Sequence, residues 1–343
     1  MKKALLALLV ACSLMLGIAG CGPTASQPTP TPASTPQVPA SATQPAETAP
    51  AKSDYPKAPI TWIVPYSAGG GTDLAVRTFI KYLEPLVGQS IVVSNLSGGG
   101  GTIGVTELYH SKPDGYTMGT VTLASQVISK HQMDLEYTMD DFEYLGSYAQ
   151  WTYGIVVNAD SPYQDVEDVI AAGKEAGGLQ FGAAGTINGF ALLDLGEVTG
   201  AEFDMVFYGN TTDCTTDCLG GFIPCIAGDI ASVSSYIESG QMRLLASASE
   251  KRWPAAPDVP TLQELGYDVS VSSYTGLAFP KGTDPDTVAF MQDCFNQVCA
   301  NKDFQEELYE LCSLQPIALD GPTYYQLLQD LEKDYAPRLD TQQ

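Results

Sequence analysis

The chain has 343 residues, and its 16 Lys and Arg stand against 40 Asp and Glu for a formal net charge of −24. So acidic a chain argues against nucleic acid as a partner and against docking on anionic lipid through surface charge. Its eight Cys and two His show no common zinc-ligand spacing, which leaves metal chemistry without a motif.

In chain order, residues 1–20 read as a secretory signal peptide: Lys2 and Lys3, then the apolar run Ala4 to Leu16, then small residues. Cys21 closes a lipobox-like Ile18-Ala19-Gly20-Cys21 and is the expected site of lipid attachment. Residues 21–53 are a disordered tether of Pro, Thr, Ala, Ser and Gln, too polar to bury a core. As polyproline II, about thirty such residues reach on the order of 90 Å. No later apolar run is long enough to span a membrane.

The folded part begins with a strand over "ITWIVPY", a glycine turn "SAGGGTD", and a helix that places Val76, Phe79, Ile80, Leu83 and Val87 at helical spacing before Gly88 stops it. "SIVVSN" is the next strand, followed by "LSGGGGT" and a helix through Val105, Leu108 and Tyr109. "LQFGAAGT" repeats the design ahead of "INGFALLDLGEVTG". Strands alternating with helices imply a mostly parallel sheet. Each of the three loops ends in Thr (Thr72, Thr102, Thr186), a residue that caps helices. Glycine-rich loops opening on helix N-termini suit an anion. The candidate ligand-binding residues are therefore Tyr66, Ser67, Ala68, Gly69, Gly70, Thr72 and Asp73 in the first loop. Asn95, Ser97, Gly98, Gly99, Gly100 and Thr102 follow in the second, and Gly185 with Thr186 in the third. Asp73 has two readings, as a favourable acid in a first helical turn or as a group that orients the loop or meets a ligand ammonium.

Gly99, Gly101 and Gly104 form G-x-G-x-x-G, but the strand that follows, "YTMGTVTL", ends without the acid that a dinucleotide ribose requires. No nucleophile elbow accompanies His110 or His131. No cofactor and no catalytic residue is expected. Six cysteines fall in two groups, and the segments Asp286–Ala300 and Phe304–Leu311 read as a helical hairpin. If it folds back on itself, Cys294 and Cys312 lie at similar distances from the turn, which makes them the expected disulfide.

The blocks "YPKAPITWIVPYSAGGGTDLAVR", "GQSIVVSNLSGGGGTIGVTELYHSKPDGYTM", "LGGFIPCIAGD", "GQMRLLASASEKRWPAAPDVPTLQELGY" and "YTGLAFPKGT" resemble, in order, the Bug/TctC family of extracytoplasmic solute receptors. The resemblance implies an α/β, two-domain periplasmic-binding-protein-like (type II) fold with a ligand cleft between the domains. It implies domain 1 over 54–152 plus 273–343 and domain 2 over 153–272, with crossing strands near Tyr153–Asn158 and Ser272–Pro280. Family ligands are small carboxylates (citrate and other tri- or dicarboxylates, acidic amino acids, aromatic acids), held by the first two loops largely through backbone N–H groups and water. Tyr208 and Tyr274 are further candidates for the cleft wall. The partners implied are the membrane components of a tripartite tricarboxylate transporter, with the membrane itself reached only through the Cys21 lipid, and the receptor is expected to be a monomer. Three positions depart from the family pattern: Gly209 stands where a Lys is usual, Pro224 where an Asp is, and "FGAAGTINGF" lacks a His. The competing reading is a secreted α/β enzyme such as a nucleotide-dependent oxidoreductase.

Overall fold

The computed structural model describes residues 55–209 and 211–340. None of the helices there is long and apolar enough to cross a membrane; the signal peptide, Cys21 and the tether lie outside the described residues.

The first strand, β1 (Ile60–Val64), buries Ile60, Trp62 and Val64 completely. Helix α1 (Gly71–Val87) buries Val76, Phe79, Ile80, Leu83 and Val87, the stripe its spacing predicts. It ends where Gly88, at φ 73°, donates its N–H to the Glu84 carbonyl, a left-handed stop that glycine takes without steric cost. The chain continues through β2 (Ile91–Asn95), α2 (Thr102–His110) and β3 (Thr117–Thr122). Next come the long β4 (Phe142–Asn158), α3 (Val166–Gly173), β5 (Leu179–Ala183), α4 (Thr186–Thr199), β6 (Phe203–Phe207) and α5 (Thr211–Leu219). Then follow β7 (Cys225–Asp229), α6 (Ile230–Glu238), β8 (Met242–Ser247) and β9 (Ser272–Pro280). The last elements are α7 (Pro285–Ala300), α8 (Lys302–Cys312), β10 (Gln315–Asp320) and α9 (Gly321–Asp340).

The sheet is mixed, not mostly parallel. β1 pairs in parallel with β2 and β3, and β5 with β6 and β7. Every pairing of β4 is antiparallel, and so is β3 with β9. The βαβ units obey the alternation rule within each lobe; the strands that connect the lobes do not. β4 serves both lobes. Its residues Phe142 to Thr152 pair with β9, and from Tyr153 to Val157 its partner is β7. The change of partner between Thr152 and Tyr153 is the seam of the molecule.

An aromatic core under α1 joins Trp62, Phe79, Tyr148, Phe295 and Phe304. The Phe79 ring lies 4.6 Å from Tyr148 and 5.1 Å from Phe304 between centroids, the range in which tilted and edge-on pairs are favourable. The cysteines of α7 and α8 are part of this core. The Cys294–Cys312 bridge expected from the sequence is not formed: both thiols are free and buried. The hairpin exists, but its helices meet through Phe295, Phe304 and Leu308, and the Cys312 Sγ lies 3.9 Å from the Thr78 hydroxyl on α1. Burial pushes both thiols up to about 11, so they behave as small apolar groups.

Helix α9 begins beside β4 and ends on the other lobe. Tyr324 donates to the Val121 carbonyl at 3.1 Å. Three turns later Tyr335 stacks on Phe190 of α4 with centroids 5.0 Å apart, and Arg338 meets Asp194 at 2.6 Å.

Candidate functional site

The first loop, between β1 and α1, is shaped from behind. Asp73 is only 2% exposed. Its carboxylate accepts from the Gly69 N–H at 2.9 Å, the Arg77 Nε at 2.9 Å and the Asn95 Nδ2 at 3.0 Å. The same Asn95 amide donates to the Tyr66 carbonyl at 3.1 Å. Burial alone would raise the Asp73 carboxyl, but the bonds from Arg77, Gly69 and Asn95 and the Arg77 charge outweigh it and hold the carboxyl below its ordinary value. Of the two roles open for Asp73, the structure gives the orienting one.

The second loop carries four successive glycines at positive φ: Gly98 at 136°, Gly99 at 57°, Gly100 at 65° and Gly101 at 100°. A side chain is strained at every one of these positions. Gly104 has a different task, because a Cβ there would stand 2.7 Å from Pro65 Cα, where α2 packs on the first loop. The spacing that resembles a dinucleotide motif thus serves a left-handed loop and a close helix contact.

The Thr residues are not the caps the sequence suggested. The N-caps of α1, α2 and α4 are Gly70, Gly101 and Gly185, and none makes a side-chain cap bond. Thr72, Thr102 and Thr186 sit inside the first turn. The Thr102 hydroxyl donates back to the Gly99 carbonyl at 2.9 Å. The Thr186 hydroxyl accepts from Gln132 Nε2 at 3.1 Å. Glycine caps leave the first N–H groups unblocked.

A cavity of about 650 Å³ lies between the lobes. Tyr66, Thr72 and Gly98 to Gly100 line it on one side, and Gly185 and Thr186 on the other. The remaining candidates do not line it. Ser67, Ala68 and Gly69 are exposed, Gly70 closes the turn of the first loop, and Ser97 is exposed before the glycine run. Asp73 and Asn95 form the brace, and Thr102 is turned toward Gly99 and the Met133 sulfur. Tyr208 points its hydroxyl at Asp217 on α5, 2.8 Å away, and Tyr274 is a half-buried wall residue outside the cavity lining.

The sequence reading missed the floor and the far wall. Trp151 and Tyr153, on either side of the β4 seam, both line the cavity, as do Phe207, Thr211 and Ser273. The Trp151 Nε1 donates to Thr275 at 2.8 Å, and its ring fills the space a Cβ on Gly71 would need. Tyr153 opened a crossing strand implied by the family resemblance, but neither ring was among the site candidates. Gly209, one of the departures from the family pattern, also lines the cavity.

No Asp, Glu, Lys, Arg or His lines the cavity among the described residues. The N-terminal ends of α1, α4 and α5 and the glycine loop before α2 all face it. The first turn of a helix has N–H groups without intrahelical partners and a partial positive charge. Behind Thr211, Asp229 is 5% exposed and caps α6 through Ser232 at 3.0 Å. Burial, only partly offset by bonds from Ser232 and Thr211, raises its carboxyl. Burial likewise raises the Tyr66 and Tyr153 phenols, which therefore stay protonated.

A two-lobed α/β body with a neutral cleft at the seam defines a solute-binding receptor of the periplasmic type. The family described as "Tripartite tricarboxylate transporter family receptor" matches residues 76–339, and the chain belongs to it. A UPF0065 protein from the gbd 5′ region of Cupriavidus necator is 30% identical over 282 residues, 81% of this chain and 86% of that one. Protein BugT of Bordetella pertussis is 30% identical over 263 residues, 74% of this chain and 80% of its own. A crystal structure of a TctC solute-binding protein from Polaromonas is 27% identical, covers 84% of this chain and 100% of that one, and has a TM-score of 0.70. The fold is shared as well by two Rhodopseudomonas palustris proteins, MatC with bound malate (22% identity, TM-score 0.70, covering 84% of this chain and 99% of that one) and a protein with adipate (23%, 0.71, 84% and 97%).

Proposed function

We propose that this protein captures a small organic carboxylate and hands it to the membrane components of a tripartite tricarboxylate-type transporter. The observation that carries the reading is the convergence of several helix N-termini on a cleft with no charged side chain in its described lining. Neutral donors fixed by the fold stabilise an anion with little reorganisation. The malate and adipate held by the two similarly folded proteins are carboxylates of this kind. In this reading the ligand sits at Gly98 to Gly100, Thr72 and Tyr66, and the lobe 153–272 closes upon it against Gly185 and Thr186. The receptor works as a monomer outside the cytoplasm, held to the membrane by lipid on Cys21. Cys21→Ser would release it from the membrane fraction.

The test is thermal shift against a panel of carboxylates with NAD(P) as a control. A ligand at 100 times its Kd adds about 2.7 kcal/mol of stability. A carboxylate that raises Tm supports the reading, while a response to NAD(P) alone would favour the oxidoreductase.

A further inference from the structure

We infer that α9 is a strap that limits how far the two lobes part, clasped at one end to the first lobe and at the other to a single stripe of α4. The strap itself goes beyond the receptor reading above; its effect on ligand affinity rests on that reading.

The first end is fixed on β3, on the turns after it and on the part of β4 that pairs with β9. Tyr324 is fully buried, donates to the Val121 carbonyl, and packs edge-on against Tyr144 with ring centroids 5.9 Å apart. Tyr325 donates to Asp140. Leu328 is fully buried, and one turn later Glu332 pairs with Lys130.

The second end is fixed on α4. The Tyr335 ring lies flat on Phe190, and both are almost fully buried. The Arg338 guanidinium meets Asp194 and lies 5.5 Å from the centre of the Tyr335 ring and 5.9 Å from that of Phe190, within the range of a cation–π contact. Leu339 is buried in the same cluster. Thr186, Phe190 and Asp194 are four residues apart, so they lie along one stripe of α4, about 12 Å long at 1.5 Å per residue. Thr186 lines the cavity and meets Gln132, while Phe190 and Asp194 meet α9. One helix of the second lobe is therefore held at the cleft by its first residue and behind the cleft by the strap.

Between its two ends the strap has a joint. Pro337 stands inside α9, so the Lys333 carbonyl lacks the N–H that a regular helix would offer it. The missing bond falls between Glu332, which holds the first lobe, and Arg338, which holds the second. Lobes that part bend α9 at this turn before they tear either clasp. Such a strap permits opening and restrains it, which keeps the binding-competent arrangement populated; apparent affinity scales with that population.

The experiment reads lobe separation as pulsed EPR distances between spin labels at Ser97→Cys and Thr212→Cys. Both positions are exposed and adjoin the lining residues Gly98 and Thr211 on opposite sides of the cleft. The described native thiols are buried, so the labels go to the introduced ones. Asp194→Asn combined with Arg338→Ala opens the clasp without leaving a charged Asp194 unpaired; in the ligand-free protein it is expected to broaden the distances and shift them outward. Pro337→Ala restores the helical bond and is expected to narrow them. Lys333→Ala, at an exposed side chain paired within α9, should leave them as they are. With malate and adipate as calorimetric probes, the clasp variant should raise Kd about threefold to tenfold, and Pro337→Ala should lower it. Opposite signs from two changes in one helix are a result that lost packing alone does not give. Pro337 is exposed, so its variant keeps the fold and decides the matter should the clasp variant not fold. Distances unchanged in these variants overturn the strap, even where Tm falls. If neither probe nor any other carboxylate binds, the receptor reading is lost, and the ligand-free distances still decide the strap.

Discussion

Gln132 donates from Nε2 to the Thr186 hydroxyl at 3.1 Å, a side-chain bond that ties the turns after β3 to the first residue of α4 across the cleft. Such an exposed bond contributes about 0.5–1.5 kcal/mol. Where it forms only with the lobes together, that energy appears in ligand affinity rather than in stability of the open protein. Gln132→Ala is expected to raise Kd about twofold to tenfold with Tm of the unliganded protein unchanged, as read by calorimetry and thermal unfolding. A fall in Tm without a change in Kd would show the bond to be structural only.

The glycine loop makes a sharper prediction. Gly100 has φ 65°, and a Cβ there would stand 3.2 Å from the Ser129 hydroxyl. A β-branched residue is strained in that region. Gly100→Val is expected to weaken carboxylate binding by more than about tenfold, with a loss of roughly 1–3 kcal/mol of stability. Lys112→Ala, at an exposed position outside the loops, should leave Kd alone. Kd should also rise only modestly from low to physiological salt, because fixed dipoles in a cleft are screened less than surface charges. A steep salt dependence would mean that a charged side chain holds the anion.

Asp73 should matter without touching the ligand. Asp73→Ala removes three bonds that shape the first loop and is expected to cost about 1–3 kcal/mol and to weaken binding. The sign of its pH dependence follows from its lowered carboxyl. The stabilisation is present above the unfolded carboxyl's range and is lost as pH falls through the folded one. The stability gap between wild type and Asp73→Ala should therefore narrow on acidification below about pH 4.

Carboxylate binding itself should be flat between about pH 6 and 9, a range set by ordinary carboxyl and phenol values. The titratable side chains in the described lining are Tyr66 and Tyr153, both raised by burial and so protonated throughout. A calorimetric pH series with an inflection near neutrality would reveal a group outside this lining.

Asp194 moves the other way. Burial, outweighing the Arg338 partner, pushes its carboxyl up to about 6. Between its unfolded value and that of the folded state the native protein keeps a proton the unfolded chain has released, so stability falls as pH rises through this window. Relative to Asp194→Asn, wild type should lose on the order of 1–3 kcal/mol between pH 4 and 7. Denaturant unfolding of both proteins at the two pH values checks it.

Much of each lobe was legible because its signals are local. The stripe from Val76 to Val87 and the stop at Gly88 follow from 3.6-residue spacing and one left-handed residue. The break between α7 and α8 falls at Asn301, which caps α8 through Asp303 and Phe304, a short-range bond. The place of the seam in β4 came from the family resemblance, not from residue patterning, because it depends on which strand, β9 or β7, lies beside Thr152 and Tyr153, and those partners come from distant parts of the chain. Trp151 and Tyr153 were missed as parts of the site. Loop composition showed where an anion could sit, but not which atoms turn inward. Ser67 and Gly69 are exposed and outside the cavity lining, and Tyr208 is drawn aside by Asp217, a partner nine residues on.

The placement of α9 bears on how the protein comes to be folded at all. Asp194 and Arg338 are separated by 144 positions, and the ring of Tyr335 covers Phe190 across a similar gap. During synthesis the α4 face stays bare until α9 has emerged, so this contact is among the late ones to close. Contacts of such long range slow folding and leave apolar surface open meanwhile. The second lobe reaches its final stability only when α9 has been made.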